Sequence, residues 1–198
     1  MLGLQEKDLV VLGVGQLQGR KGVEDFLDVA AAIPQAKFVW VGGRPFGKLT
    51  EGIARIDERI ASAAQHVQFT GVLDLMDMPF VYAAADILLF PSYQENCPLA
   101  PLEAAACGLP VVFRDIEEYR CLYVNPYLKA ANTEEFISMT KQLIADRSFH
   151  AEAVKISERL IGQFSRDTIR AKLVQLYADL VSEGQLGGTC NGSRTARR

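Results

Sequence analysis

The sequence has no long hydrophobic run and no strong excess of charge. It contains no stretch of about 18 apolar residues, the length that a membrane-spanning helix needs. Residues 2–8 combine neither the basic nor the apolar segment of a signal peptide. The net charge of −3 argues against a nucleic-acid-binding protein that relies on overall charge. We therefore expect a cytoplasmic globular protein with no nucleic-acid partner.

Patterns typical of metal sites and disulfides are also absent. No C-x-x-C pair occurs, and no histidine stands near a cysteine at ligand spacing. No Asp-x-Asp pair occurs either, so a metal-bridged diphosphate would have no obvious ligands. We expect no metal and no other cofactor, and reduced thiols at the four scattered cysteines: Cys97, Cys107, Cys121 and Cys190.

Short apolar runs alternate with helical patterns over much of the chain. This alternation predicts an α/β fold with a right-handed, doubly wound parallel sheet of the Rossmann-like kind. From Asn132 onward the pattern is purely helical, and residues 185–198 show no periodicity. The sequence thus predicts one domain over 1–184 with C-terminal helices, and a disordered tail over 185–198. The predicted strands are 9–14, 38–41, 67–70, 87–90, 111–113 and 122–124, and the early helices include 52–64, 76–84 and 102–107.

Two glutamates, Glu95 and Glu103, bracket a predicted strand-to-helix turn. The strand is the apolar run 87–90, and the helix 102–107 is closed by Gly108. Such a turn lies at the carboxyl edge of a parallel sheet, where open α/β sheets bind ligands. Both carboxylates are therefore candidate site residues.

The start of the same helix is a candidate anion site. Pro98 and Pro101 suit a first helical turn, which leaves the N–H groups of Leu99 and Ala100 able to face an anion. Carboxylates at both ends of that site would repel phosphate, so we expect the glutamates to bind hydroxyl groups. A nucleotide-sugar carries hydroxyls on both sides of a diphosphate. The alternative is that Glu103 is only an exposed first-turn acid, favoured by the helix dipole.

The segment 13–19 is a glycine-rich turn between the first strand and the first helix. It resembles a dinucleotide-binding fingerprint, which is a common feature of this architecture. An NAD enzyme would carry an acid at the end of the second strand, where this chain has Gly43 and Arg44. Because Arg44 would suit a 2′-phosphate, an NADP-binding domain of an oxidoreductase stays open as an alternative.

Two cations, Arg20 and Lys21, follow the glycine-rich turn. Cations are unfavourable at a helix start unless an anion is bound there. Fixed cations together with helix N–H groups can offset the charge of a diphosphate leaving group without a metal ion. The alternative is a solvated helix start.

In these segments the chain resembles the retaining glycosyltransferases of family 4, which have the two-domain GT-B fold. Segments 15–23, 38–43, 69–72 and 82–86 stand in the family's order before the glutamate pair. The resemblance implies that the chain is the C-terminal, donor-binding half of a hexosyltransferase. One departure is Gln16, where many members carry arginine; its phosphate role would pass to Arg20.

The resemblance also implies roles for individual residues. Glu95 and Glu103, the candidate catalytic pair, would contact the hydroxyls of the donor sugar and of the ribose. Lys21 would hold the diphosphate, and the backbone at Val72 would read the uracil edge. The implied donor-binding set comprises Gly15, Gln16, Arg20, Lys21, Gly43, Arg44, Val72, Asn96, Cys97, Pro98, Leu99, Ala100 and Glu103.

Segments 93–103, 20–23 and 113–115 are similar to bacterial 1,2-diacylglycerol 3-glucosyltransferases. This similarity implies a UDP-glucose donor, a diacylglycerol acceptor in glycolipid synthesis, and a peripheral position at the inner face of the cell membrane. It also implies an N-terminal acceptor domain as partner. A non-catalytic module that binds nucleotide-sugars remains a further alternative.

Overall fold

A parallel six-stranded sheet forms the centre of the fold. The computed structural model describes residues 2–44, 53–123 and 126–187. Among them the strand order is β3-β2-β1-β4-β5-β6, the order of a doubly wound Rossmann-like sheet. This confirms the predicted fold class. The strands are β1 (Val10–Val14), β2 (Lys37–Val41), β3 (Val67–Gly71), β4 (Ile87–Phe90), β5 (Val111–Arg114) and β6 (Leu128–Ala130).

The central strands are continuous apolar runs because helices cover both faces of the sheet. Every residue of β4 and β5 is buried, and so is most of β1. Phe26 packs edge-on against Phe38 and Trp40, with ring centroids 5.4 and 5.1 Å apart. The described helices are α1 (Val23–Ala32), α2 (Ile53–Ala61), α3 (Met78–Ala83), α4 (Ala100–Ala106), α5 (Glu117–Leu122), α6 (Thr133–Ala145), α7 (Arg147–Phe164) and α8 (Arg166–Gly187), with 3₁₀ turns at Gly19–Lys21 and Leu75–Asp77.

The crevice of the fold lies between β1 and β4. These strands pair in parallel, with Val11 opposite Ile87, although β2 and β3 come between them in the chain. The connection after β1 leads to one side of the sheet and the connection after β4 to the other, so the two loops diverge. Polar residues that follow either strand therefore face a common gap.

Two sequence predictions are wrong and one boundary is shorter. Leu122 ends helix α5 instead of opening a strand at 122–124, and the next strand is β6. Tyr119 and Tyr123 lie four residues apart with ring centroids at 5.6 Å, a helical spacing that outweighs the short apolar run. Helix α8 includes 185–187, which were assigned to the tail. Helix α2 ends at Ala61, short of the predicted 64. Positions 52, 124 and 188–198 lie outside the described residues.

The chain divides into two compact units, residues 1–161 and 162–198. The first unit contains the sheet, helices α1 to α6 and most of α7. The second consists mainly of α8, on which Ile169, Leu173 and Leu180 repeat at helical spacing and are exposed. The helical pattern that the sequence shows from Asn132 onward is therefore confirmed for this segment.

We predict that Gly22→Ala destabilises the protein. Gly22 has φ +72°, and a Cβ there would lie 2.3 Å from the Pro91 carbonyl oxygen. The left-handed conformation alone costs a residue with a side chain about 1–2 kcal/mol, and the overlap adds to that. Gly162→Ala is the matched control, since nothing lies within 4 Å of its Cβ and alanine favours a helix. Urea unfolding should separate the two variants; equal free energies of unfolding would contradict the prediction.

Candidate functional site

The loops after β1 and β4 form the walls of a polar cavity of about 400 Å³. Two cations come from the first loop and a short polar segment from the second. Apart from Gln94, these residues were predicted from the sequence to share one site, and the structure brings them together. The cavity is lined by Arg20, Lys21, Gln94, Glu95, Asn96 and Cys97.

Lys21 and Glu95 form an ion pair across the crevice, between Nζ and Oε1. Ser92 Oγ donates a hydrogen bond to the same carboxylate oxygen at 2.6 Å. The side chains of Lys21 and Glu95 are only 14% and 9% exposed. The cation expected to face a phosphate thus has a carboxylate partner.

Arg20 connects the two loops through its side chain and its backbone. Its Nη1 donates to the Gln94 carbonyl at 3.4 Å, and its Nη2 donates to Gln16 Oε1 at 3.5 Å. Its carbonyl oxygen accepts from Tyr93 N at 2.8 Å and from Ser92 Oγ at 3.2 Å. Gln16 therefore lies beside Arg20, whose guanidinium is exposed at the mouth of the crevice.

Glycines let the ends of β1, β2 and β3 approach closely. Gly15 O accepts from Trp40 Nε1, and Gly43 O accepts from Leu17 N, both at 2.9 Å. A Cβ on Gly43 would lie 2.6 Å from Val72 Cγ2, and a Cβ on Gly15 would lie 3.6 Å from Lys21 Cδ. Gly15, Gly43 and Val72 therefore share one edge of the sheet with Lys21, and Val72 is exposed there.

Arg44, the residue on which the NADP alternative depends, forms an ion pair with Asp57 of α2. Its Nε donates to Asp57 Oδ1 at 3.0 Å. A 2′-phosphate would have to share the guanidinium with this carboxylate. The pair makes Arg44 a less available anion ligand than the sequence indicates.

Glu103 lies on α4 and contacts α3. The hydroxyl of Tyr82 donates to Glu103 Oε2 at 2.7 Å. Burial, reinforced by this hydrogen bond, raises the pKa of Tyr82 far above its ordinary value, so the hydroxyl stays protonated as a donor. Glu103 is not among the residues that line the cavity of Lys21 and Glu95 described above. Sequence reasoning missed the role of Tyr82, because nothing in the spacing shows where its hydroxyl lies.

The segment from Asn96 to Ala100 leads into α4. Asn96 and Cys97 are exposed, Pro98 is buried, and Leu99 is the N-cap residue of a helix that begins at Ala100. This start precedes the predicted one at 102, because Pro101 occupies the first turn. First-turn N–H groups have no intrahelical acceptor. These N–H groups follow directly after the loop that contains Glu95.

A second, more open cavity of about 660 Å³ shares Glu95 and Asn96 with the first. Its other lining residues come from α5: Glu117, Glu118, Cys121 and Leu122. Within the described ranges, no three His, Cys, Asp or Glu side chains converge as a metal site. Of the helices that the structure describes, none is both long and apolar enough to cross a membrane.

We predict that Lys21 and Glu95 are energetically coupled. Replacing either by a neutral residue leaves a poorly solvated charge, whereas replacing both leaves none. Urea unfolding of Lys21→Met, Glu95→Gln and the double variant should give a coupling energy above about 1 kcal/mol. The control is the exposed pair Arg159–Glu152, which is 3.2 Å apart and should give about 0.2–1 kcal/mol. Additive losses at Lys21 and Glu95 would contradict the prediction.

Comparisons with known proteins agree with this geometry. The model of the family described as glycosyl transferases group 1 matches residues 8–146. An alpha-galactosylglucosyldiacylglycerol synthase of Streptococcus pneumoniae is 33% identical over 178 residues, which are 90% of this chain and 46% of that protein. A processive diacylglycerol alpha-glucosyltransferase of Acholeplasma laidlawii is 29% identical over 180 residues, which are 90% of this chain and 53% of that protein.

Solved structures of other proteins share the fold. Sucrose-phosphate synthase from Thermosynechococcus elongatus superposes with a TM-score of 0.78 at 25% identity, over 92% of this chain and 48% of that one. Anabaena HepE in complex with UDP-glucose gives a TM-score of 0.75 at 22% identity, over 87% and 49%. The chain therefore spans about half the length of these proteins. The family match covers most of the sheet domain, and the chain belongs to the glycosyl transferases of group 1.

Proposed function

We propose that this domain binds the UDP-sugar donor of a retaining, family 4 glycosyltransferase. The observation that carries the proposal is the Lys21–Glu95 ion pair in the crevice between β1 and β4. A cation and a carboxylate held side by side match a ligand in which an anionic diphosphate adjoins a hydroxylated sugar. Neither a simple phosphate nor a neutral sugar would use both groups.

Donor binding would exchange the partners of this pair. The diphosphate takes the Lys21 ammonium, and Arg20 adds a second positive charge at the mouth of the crevice. Glu95 is then available to accept hydrogen bonds from sugar hydroxyls, which are charge-assisted and therefore comparatively strong. Because the two cations offset most of a diphosphate's charge, we propose that donor binding needs no metal ion.

The ribose and the base would both bind on the side of the diphosphate that faces away from the donor sugar. Tyr82 occupies Oε2 of Glu103 and fixes the orientation of the carboxylate. A carboxylate has about four lone-pair sites, so Glu103 can still accept hydrogen bonds from two ribose hydroxyls. The backbone of Gly43 and Val72 forms the edge against which we place the uracil.

The names of relatives support the choice of substrates. The Streptococcus pneumoniae and Acholeplasma laidlawii relatives are a galactosylglucosyldiacylglycerol synthase and a diacylglycerol glucosyltransferase. HepE was solved with UDP-glucose. On this basis we propose transfer of a hexose, glucose in particular, from UDP to diacylglycerol in glycolipid synthesis. The enzyme would act in the cytoplasm, at the inner surface of the cell membrane.

We further propose that an N-terminal domain outside this chain holds the acceptor. A single doubly wound domain offers one wall of a cleft, whereas transfer requires donor and acceptor to be aligned and shielded from water. The rival interpretations are an NADP-binding domain and a non-catalytic nucleotide-sugar module. An NADP-binding domain would give the Lys21–Glu95 ion pair and the Tyr82–Glu103 hydrogen bond no role in ligand binding.

We predict that Glu103→Ala weakens UDP binding. Loss of the proposed ribose hydrogen bonds to a charged group should cost about 1.5–3 kcal/mol of binding free energy, measured by calorimetry. Glu134→Ala is the matched control, because Glu134 is also a first-turn glutamate, on α6. If Glu103 only complements the helix dipole, both variants will bind UDP like the wild type, and the ribose assignment is wrong.

The same titrations test the metal-free donor site. UDP should bind equally in EDTA and in Mg²⁺, and NADPH should not bind. A strict requirement for divalent metal would contradict the proposed role of Lys21 and Arg20. Binding of NADPH that depends on Arg44 would favour the oxidoreductase interpretation.

We predict that the isolated chain binds UDP-glucose without transferring the sugar. The experiment incubates purified chain with labelled UDP-glucose and diacylglycerol vesicles, and follows labelled lipid by chromatography. No glycolipid above the protein-free background is expected, because this chain supplies only one wall of the cleft. Glycolipid formation that is lost in Glu95→Ala would contradict the proposed division of roles between two domains.

A further inference from the structure

Arg114, at the end of β5, is buried and only 4% exposed. It does not line the cavity of Lys21 and Glu95. Its Nε donates to the Pro91 carbonyl at 2.8 Å, and its Nη1 donates to the Ala131 carbonyl at 3.4 Å. Its guanidinium carbon lies 3.8 Å from the centre of the Tyr93 ring. Two of these contacts are to the loop after β4. We call residues 91–97 the Glu95 loop.

Asp25 of α1 balances this buried charge. Asp25 Oδ2 lies 2.9 Å from Arg114 Nη2, and Asp25 Oδ1 accepts from Thr133 Oγ1 at 2.6 Å. The Tyr93 hydroxyl also bonds to Asp25; burial and then this bond raise the pKa of Tyr93. Removing an ion from such a pair would leave an uncompensated charge. The pair therefore connects α1, β5 and α6 to the Glu95 loop.

We propose that Arg114 is a positioning residue that sets the Glu95 loop for recognition of the donor sugar. The inference rests on the proposed function of the crevice. Arg114 contacts no part of the proposed donor. It contacts Pro91 and Tyr93, and these contacts hold the segment in which Glu95 lies. Ser92 and Tyr93 in turn bond to the Arg20 carbonyl, so the loop is fixed from both sides.

The geometry requires a guanidinium and not merely a positive charge. Nε and Nη1 donate to two backbone carbonyls and Nη2 forms the ion pair with Asp25, while the face of the guanidinium stacks on Tyr93. A lysine ammonium is a point charge on a flexible stem and cannot donate to Pro91 and pair with Asp25 while stacking on a ring. Arg114→Lys therefore preserves the charge that Asp25 needs and removes the alignment of the loop.

The effect should be selective for the sugar. The Glu95 loop carries the carboxylate assigned to sugar hydroxyls. The groups assigned to the ribose and the base lie on other elements, at Glu103, Tyr82 and the edge formed by Gly43 and Val72. A displaced loop should thus weaken UDP-glucose binding more than UDP binding. A purely structural loss would weaken both ligands alike.

The experiment compares wild type, Arg114→Lys and Tyr93→Leu with the control Arg120→Lys. Arg120 is an exposed arginine that pairs with Asp115 at 3.1 Å. Amide hydrogen exchange is measured over residues 92–97, and calorimetry gives dissociation constants for UDP and UDP-glucose. Tyr93 is half exposed, so Tyr93→Leu tests the stacking contact should Arg114→Lys not fold.

We expect Arg114→Lys and Tyr93→Leu to exchange faster in the Glu95 loop than the wild type and Arg120→Lys. UDP-glucose affinity should fall about tenfold, the loss expected for hydrogen bonds to a charged group, and UDP affinity less than about threefold. Equal losses for both ligands, or unchanged exchange in the loop, would overturn the role of Arg114. Failure of the wild type to bind either ligand would instead overturn the donor site itself, and faster exchange in Arg114→Lys would still show that Arg114 holds the loop.

Discussion

The parallel pairing of β1 with β4 is the constraint on which the site depends. These strands are neighbours in the sheet but not in the chain, so the connections that leave them diverge. The segments that follow the two strands therefore border the same gap. After β1 this segment is a glycine-rich turn with two cations, and after β4 it is a polar loop with Glu95. A different strand order would place Lys21 and Glu95 on separate edges, and their charges would have no common ligand.

Charge compensation is the second constraint on the crevice. Lys21 and Glu95, the crevice pair, line the cavity and neutralise each other, and Arg114 and Asp25, the buried pair, do the same outside the cavity lining. Breaking a buried pair by removing one partner commonly costs about 3–5 kcal/mol, which is why both members of each pair have to be kept together. The buried pair takes no part in lining the cavity, whereas the crevice pair lines it, and there we propose that a donor exchanges the partners of Lys21 and Glu95.

The sequence was sufficient for strands β1 to β5 and for placing Lys21 and Glu95 at one site, because the hydrophobic period and the position after a strand are local signals. It was not sufficient for Tyr82 or Arg114. The Tyr82 hydroxyl reaches Glu103 across two helices, and Arg114 ends an apolar run that reads simply as a strand. Such contacts depend on side-chain directions in three dimensions, which spacing does not encode. The wrong strand at 122–124 has a related cause. Tyr119 of α5 and Tyr123 just after it both pack on Phe113, with ring centroids 5.3 and 5.0 Å away.

The Lys21–Glu95 ion pair would also affect how the site distinguishes the donor from the UDP product. A ligand that takes Lys21 must first separate it from Glu95. UDP alone would leave Glu95 poorly solvated and without its cation, so part of the gain from the diphosphate is lost. A nucleotide-sugar returns hydrogen bonds to Glu95 through its hydroxyls, which compensate the carboxylate. Because only the intact donor would satisfy both members of the pair in the proposed binding mode, this contact would favour binding of the sugar nucleotide over binding of the UDP product.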